Sequence, residues 1–128
     1  MTELAIVYAL FPSAGEAHDC CRTLLEEGLV ACTNRLAPVI SHYRWQGEIE
    51  TSEEHPVLFK TRADLQQAAI DRIAQLHRYD VPAVLAWPVS AAHAPFVEWA
   101  KAETKRWGII LPARKPMHLL DYRRAPSQ

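Results

Sequence analysis

Hydrophobic and polar positions recur along the chain in patterns that predict four strands and three helices. The run LAIVYALF, from Leu4 to Phe11, is apolar nearly throughout and has the length of a strand that is covered on both faces. A helix follows, because Ser13 and Glu16 have the spacing of a capping box and apolar residues then recur at helical intervals as far as Gly28. The chain therefore begins with one strand and one helix.

The next segment predicts one long, irregular β-hairpin. VACTNRLAPVISHYRW is strand-like, and Pro38 within it predicts an edge position or a bulge because proline donates no ladder hydrogen bond. Gln46-Gly47 is a hairpin-turn pair, after which the return strand EIETSEEHPVLFKT is expected to be interrupted at Pro56. Tyr43 and Trp45 lie on one face near the turn, where exposed aromatic side chains indicate a partner.

The second half of the chain repeats the strand-and-helix layout. Thr61 and Asp64 are expected to open a second helix that ends near the sequence HRYDVP. AVLAWPV, residues 83–89, has the composition of a strand, and Pro95 is placed to begin a third helix. The order β-α-β-β-α-β is that of the ferredoxin-like sandwich, an α+β fold in which two helices cover one face of an antiparallel sheet; here an additional C-terminal helix follows.

The second face of such a sheet stays open. The segments AIVYALF, VLF and AVLAWPV read apolar on both faces, so an open face would expose more apolar surface than monomers usually tolerate. We therefore expect self-association through the sheet, with Tyr43 and Trp45 of the long hairpin reaching a neighbouring subunit.

Length and composition are those of a single soluble domain, with 128 residues, 49% of them hydrophobic and 23% charged. No apolar run approaches the roughly 18 residues of a membrane helix, and the N-terminus lacks the basic region of a secretory signal, so we expect no membrane and a cytoplasmic location.

The three cysteines show no zinc-site spacing. Cys21 is expected in the core, Cys20 at the surface, and the acidic pairs Glu26-Glu27 and Glu53-Glu54 on solvated faces.

The net charge of −1 is unevenly distributed. Six basic residues and one acid follow residue 104, so this tail carries +5 and the preceding residues carry −6. Nucleic-acid binding requires a basic face on the folded body, and the acidic body disfavours it. The tail is expected either to shield a sheet edge or to act as a basic arm for an acidic partner.

Four segments, separated as in the CutA divalent-cation-tolerance family, together resemble that family from about residue 4 to residue 105. They are LVACTNRLAPVISHYRWQGEIE, LFKTRADL, LHRYDVPAVL and FVEWAKAETK. The resemblance implies a ferredoxin-like domain over residues 1–106 with a C-terminal extension over residues 107–128. It also implies a homotrimer, with the sheets around a central axis and the hairpins embracing neighbours, and a non-catalytic role in copper tolerance and metal binding.

Three positions depart from the family pattern. Arg78 stands where the family commonly has proline, Ala83 replaces an acidic residue, and the first strand lacks a cysteine that is often present. Fewer donor groups imply a weaker metal site than in other members. No GxSxG, P-loop, GxGxxG or HExxH motif occurs, so we expect no catalysis and no required cofactor.

Cys32 and His77 match family positions and are the candidate ligands for copper or another divalent cation, since thiolate and imidazole are good copper donors. Each also has a purely structural interpretation, Cys32 as a small buried strand residue and His77 as a helix-end residue favoured by the terminal carbonyls. The resemblance places the remaining candidates in clefts between subunits. These are Tyr43, Trp45, Lys60 and Tyr79. Such clefts suit a small metabolite or nucleotide, and a signalling or adaptor module of this kind is the alternative function.

Overall fold

The computed structural model describes residues 2–104, which form an antiparallel sheet, two helices on one of its faces and a third helix at one end of the other face. The strands are β1 (Leu4–Phe11), β2 (Cys32–Arg35), β3 (Val39–Trp45), β4 (Glu48–Arg62) and β5 (Val84–Pro88). The helices are α1 (Ala14–Glu26), α2 (Gln66–Leu76) and α3 (Ala94–Ala102). The predicted C-terminal extension, residues 107–128, lies outside the described residues.

The sheet has the strand order β2-β4-β1-β5, with β3 continuing beside the far half of β4. β1 pairs with the near half of β4, from Leu4 opposite Arg62 to Phe11 opposite His55. β3 pairs with the remaining half, ending with Trp45 opposite Glu48. All pairings are antiparallel, so the predicted ferredoxin-like order with a long hairpin and an additional helix is confirmed.

The main core lies between the sheet and the helices α1 and α2. Alternate residues of β1, including Val7 and Phe11, face the helices and are fully buried together with Phe59 of β4. Each such side chain contributes roughly 1.5–3 kcal/mol through burial. Cys20 and Cys21 both lie in this core, so the predicted exposure of Cys20 is wrong, and burial raises the pKa of the Cys20 thiol well above its usual value.

Two signals in the hairpin behave as the sequence predicts, and one does not. Gln46 and Gly47 have φ angles of 51° and 86°, both in the left-handed region that a tight hairpin turn requires. The partner strand is broken at residues 36–38, a bulge that contains Pro38. β4, however, runs through Pro56 without the expected interruption.

The bulge explains why proline is tolerated inside β4. The carbonyl of Pro56 accepts a hydrogen bond of 2.9 Å from the backbone N–H of Leu36, so it points toward the broken strand. In a strand the N–H and C=O of one residue point the same way, so the N–H that proline lacks would have faced the bulge. The ladder with β1 is therefore left complete.

The predicted start of the second helix is also wrong. β4 extends to Arg62, and the Thr61 hydroxyl donates a 2.7 Å hydrogen bond to the carbonyl of Leu29 instead of capping a helix. A 3₁₀ turn follows at Ala63–Leu65, and Asp64 is bound by the guanidinium of Arg62. The helical apolar face was predicted correctly, because its four residues are all buried; they are Leu65, Ala69, Ile73 and Leu76.

A buried ion pair joins the end of α1 to α2. Arg72 donates two hydrogen bonds to the carboxylate of Glu27, at 2.9 and 2.7 Å, and their side chains are only 10% and 4% exposed. Such fork-to-fork geometry satisfies both charged groups with two parallel bonds. The prediction that Glu27 belongs to a solvated face is therefore wrong, and the two helices are fixed to each other by charge as well as by apolar packing.

Candidate functional site

The face of the sheet opposite α1 and α2 carries an apolar strip. Ile6 and Tyr8 of β1 lie on this face, next to Trp87 and Leu85 of β5 in the pairing register. Leu85 and Trp87 remain 49% and 41% exposed, and the rings of Tyr8 and Trp87 are in contact, with centroids 6.3 Å apart. α3 packs only at the end of this face where Leu4 lies. The predicted open, apolar face is therefore present in the single chain.

Cys32 and Lys60 form one group of candidate residues on the open face. Cys32 begins β2 directly opposite Lys60 of β4, so both side chains point to the same side of the sheet. Cys32 is a free, partly exposed thiol. The Lys60 ammonium lies 5.9 Å from the ring centroid of Phe96 on α3, within the range of a cation–π contact.

His77 belongs to a second group, and both of its ring nitrogens are occupied. Its Nδ1 accepts a hydrogen bond of 3.1 Å from the backbone N–H of Tyr79, so Nε2 carries the proton of the neutral ring and donates to the carbonyl of Leu10 at 2.7 Å. The ring stacks on Phe11 and contacts that of Tyr79, with centroids 5.0 and 4.9 Å apart. His77 therefore binds the end of β1, not the terminal carbonyls of α2 as predicted.

The two candidate metal ligands are not brought together within one chain. Lys60, opposite Cys32, pairs with Ile6, whereas His77 binds Leu10, four residues further along β1. Four residues of strand span roughly 13 Å. Among residues 2–104, no group of three or more histidine, cysteine, aspartate or glutamate side chains is arranged to hold a metal ion.

Tyr79, Tyr43 and Glu54 lie near one another, because the Glu54 charge and the Tyr43 phenol both act on the Tyr79 hydroxyl. Tyr79 and Tyr43 are 37% and 40% exposed, whereas Glu54 is only 7% exposed. The Tyr43 hydroxyl lies 3.2 Å from Oγ of Ser52, which is two residues from Glu54 on the same face of β4. Trp45, a further cleft candidate, is 46% exposed and lies at the hairpin tip, away from this group.

Sequence reasoning missed Glu54 and the ion pair of Arg78. Glu54 was expected on a solvated face, although its alternation with Pro56 and Leu58 on β4 was a signal that it shares their face. Arg78, at the family's proline position, donates two hydrogen bonds of 3.2 and 2.7 Å to Glu16, which is buried at the start of α1. This pair fixes the loop that carries His77.

Burial dominates the electrostatics of His77 and Tyr79. It raises the pKa of the Tyr79 hydroxyl, and the nearby charge of Glu54 and phenol of Tyr43 act in the same direction. Burial also lowers the pKa of His77 below its ordinary value, against the opposing effects of the Leu10 carbonyl and of the Glu16 and Glu54 charges. His77 is therefore held in its neutral form, which the hydrogen bond from Tyr79 requires.

This shift predicts a pH dependence of stability that belongs to His77. Because the unfolded chain binds a proton at the ordinary pKa of about 6.5 and the folded chain only at a lower pH, the stabilisation is present above about pH 6.5. It is lost as the pH falls from that value toward the folded pKa. Urea midpoints at pH 7.5 and 5.5 should therefore differ less in His77→Gln than in the natural protein. His42→Gln, at an exposed hairpin position, is the control and should show the same difference between the two urea midpoints as the natural protein. If the natural protein, His77→Gln and His42→Gln all show the same difference, the pH dependence does not belong to His77.

Comparisons with known proteins agree with this architecture. The family model described as CutA1 divalent ion tolerance protein matches residues 5–103. The divalent-cation tolerance protein CutA of Pyrococcus horikoshii is 39% identical over 103 residues, which are 80% of this chain and 100% of that protein. The chloroplastic protein CutA 1 of Oryza sativa is 31% identical over 100 residues, and the match spans 56% of its length.

Solved structures give the same result. The crystal structure of CutA from Xylella fastidiosa has a TM-score of 0.79 and 35% identity, and the match covers 81% of this chain and 100% of that one. Within the described part of the chain, no helix has the length and apolar character needed to span a membrane. The family model covers most of the sequence, and the Pyrococcus relative is matched over its whole length. The chain belongs to the CutA1 divalent ion tolerance protein family.

Proposed function

We propose that the protein is a homotrimeric, non-catalytic divalent-cation tolerance protein that binds copper or another divalent cation. The observation that carries the proposal is the apolar surface that one chain leaves in water, made of the open strip with Leu85 and Trp87 and the hairpin face with Tyr43 and Trp45. Surfaces of this kind mark contacts between proteins. A neighbouring copy of this chain can cover both patches, because the hairpin projects beyond its own core and can reach another subunit. Sedimentation should give an assembly with three times the mass of the chain. A monomer at micromolar concentration would contradict the proposal.

Cys32 is the residue around which we propose the copper site. It is a partly exposed thiol on the open face, and soft sulfur favours Cu(I). The remaining donors would come from a neighbouring subunit, because the described part of one chain holds no group of three ligands. His77 could join only after its hydrogen bonds to Leu10 and Tyr79 are released.

Titration of the reduced protein with Cu(I) tests this arrangement. Cys32→Ser should weaken binding by about tenfold or more, since the thiolate is the softest donor available. His77→Ala should weaken it less, because both ring nitrogens are already bonded, and His42→Ala serves as an exposed histidine control. Identical isotherms for the natural protein and for the Cys32 and His77 variants would remove both residues from the metal site.

A second candidate function is that of a signalling or adaptor module whose clefts bind a small molecule. The observation that favours it is the buried Glu54 carboxylate beside two half-exposed phenol rings, those of Tyr43 and Tyr79. Binding sites for small molecules commonly combine aromatic walls with a few fixed polar groups. In a trimer the cleft at the base of each hairpin would lie near a neighbouring subunit.

We propose a cytoplasmic location, supported by the state of the thiols. Cys20, Cys21 and Cys32 are all free, which is typical of a reducing compartment. Among relatives, one from Archaeoglobus fulgidus is described as periplasmic and one from Oryza sativa as chloroplastic. Cell fractionation with compartment markers would decide, and recovery of the protein outside the cytoplasm would contradict the proposal.

A further inference from the structure

Glu54 differs from the other buried carboxylates of residues 2–104, because no cation within these residues binds it. Glu16 and Glu27 are 3% and 4% exposed, and each is bound by an arginine through two hydrogen bonds. Glu54 is 7% exposed, yet within residues 2–104 no hydrogen bond and no ion pair reaches its carboxylate. Burying a carboxylate is costly unless donors or a cation compensate it. The charge of Glu54 is therefore uncompensated by any group within residues 2–104.

The Glu54 carboxylate is accessible from solvent despite its burial. In the described part of the chain, no side-chain polar atom is both fully enclosed and unbonded. Since the Glu54 oxygens make no hydrogen bond within residues 2–104, they must keep some exposed surface there. A cation that approaches this surface can therefore contact them.

Two aromatic residues lie near this carboxylate: the Glu54 charge acts on the Tyr79 hydroxyl, and Tyr43 lies on the same face of the hairpin as Glu54. Tyr79 is fixed by His77, through the ring contact of 4.9 Å and the hydrogen bond from its own backbone N–H. Tyr43 is oriented along the strand by the contact of its hydroxyl with Ser52. Tyr43 and Tyr79 are 40% and 37% exposed, so each still presents a part of its surface to solvent.

We propose that Glu54, Tyr43 and Tyr79 form a binding site for one organic cation, an alkylammonium or alkylguanidinium group. The carboxylate supplies the opposite charge and charge-assisted hydrogen bonds, and the faces of phenol rings attract cations of low hydration. A metal ion fits less well, because it requires several donors and both nitrogens of the nearby His77 are bonded. This inference rests on the second candidate function and specifies its ligand.

The cation could come from two sources. One is a free small molecule with an amino or guanidino group. The other is a lysine or arginine side chain of the protein itself, from a second copy or from residues 105–128, which contain six basic residues. Both sources present the same chemical group to Glu54, so the experiment must separate them.

The test uses the full-length protein and a pair of matched probes. Calorimetry compares n-butylguanidinium with n-butylurea, which has nearly the same shape and no charge. We expect the natural protein to bind butylguanidinium and not butylurea, and Glu54→Gln to weaken that binding at least tenfold. Glu53→Gln is the control, because Glu53 is the adjacent residue, exposed and on the opposite face of β4. Tyr79→Phe should keep the affinity and Tyr79→Leu should reduce it, since the proposal requires the ring and not the hydroxyl.

Thermal stability separates the sources when the probe does not bind. If a side chain of the protein occupies the site, Glu54→Gln melts at a lower temperature than Glu53→Gln, because a compensated charge pair has been broken. If Glu54→Gln is as stable as the natural protein or more stable, no cation is bound there and the proposal is overturned. The proposal is also overturned if Glu54→Gln and Glu53→Gln bind butylguanidinium equally. It is likewise overturned if Glu54→Gln loses copper binding but keeps butylguanidinium binding. The mass of the assembly is measured on the same samples, so the absence of a trimer is recognised separately from the absence of cation binding.

Discussion

Replacing Arg72 with methionine is expected to lower the free energy of unfolding by about 3–5 kcal/mol, because it leaves the Glu27 carboxylate buried without its cation. The two groups share two hydrogen bonds and are almost fully removed from water, so no solvent can replace the guanidinium. Urea denaturation at one fixed protein concentration measures the change, since the proposed association would also contribute to stability.

An exposed pair provides the matched control for Arg72. Arg22 and Glu26 are one helical turn apart on α1, with side chains 63% and 55% exposed, so Arg22→Met should cost no more than about 0.5 kcal/mol. The double variant Arg72→Met with Glu27→Leu should recover most of the loss, because an apolar pair needs no compensation. If Arg72→Met costs no more than Arg22→Met, the buried pair does not fix the two helices.

Trp45→Thr should weaken the proposed trimer by about 2 kcal/mol per subunit contact or more, which is roughly thirtyfold in the dissociation constant for each contact broken. Trp45 is a large aromatic residue at the tip of a hairpin that projects from its core, and interfaces gain much of their affinity from such residues. Threonine is chosen because it retains a high strand propensity, so the hairpin itself is preserved. Sedimentation over a range of concentrations measures the change.

The opposite face of the same hairpin supplies the control for Trp45. Ile49 is 72% exposed and pairs with Arg44, so it points away from the face that carries Tyr43 and Trp45. Ile49→Thr should leave the dissociation constant nearly unchanged. If both variants weaken association equally, the hairpin contacts its neighbour through both faces. An unchanged constant for Trp45→Thr would show that this residue is not an interface anchor.

The elements that the sequence predicted are those specified by local chemistry. The apolar run of β1 and the capping box at Ser13 and Glu16 depend on residues close together in the chain, and both are present. The turn at Gln46 and Gly47 is equally local, because only its own backbone angles decide it. These features needed no knowledge of distant partners.

The parts that the sequence could not supply depend on partners far apart in the chain. Arg72 binds Glu27 across 45 positions, and His77 binds Leu10 across 67. Pro56 fits inside β4 only because the facing strand bulges at that level. Charged residues such as Glu27 read as solvent-facing until the fold places an arginine beside them. The sequence named candidate residues but not Glu54, and the division of the candidates into two groups required the pairing register.

The length of β4 gives one strand two different local stabilities. Its half from His55 to Arg62 pairs with β1 throughout and also with β2 at residues 57–60, whereas the half from Glu48 to Glu54 pairs only with β3 among the described strands. A two-stranded ribbon is only marginally stable by itself, and its amides open locally at little cost. Hydrogen exchange should therefore be fast in the ribbon and slow beyond it in an isolated chain. In the proposed trimer a neighbouring subunit would cover the ribbon and protect those same amides, so slow exchange along the whole of β4 would report assembly.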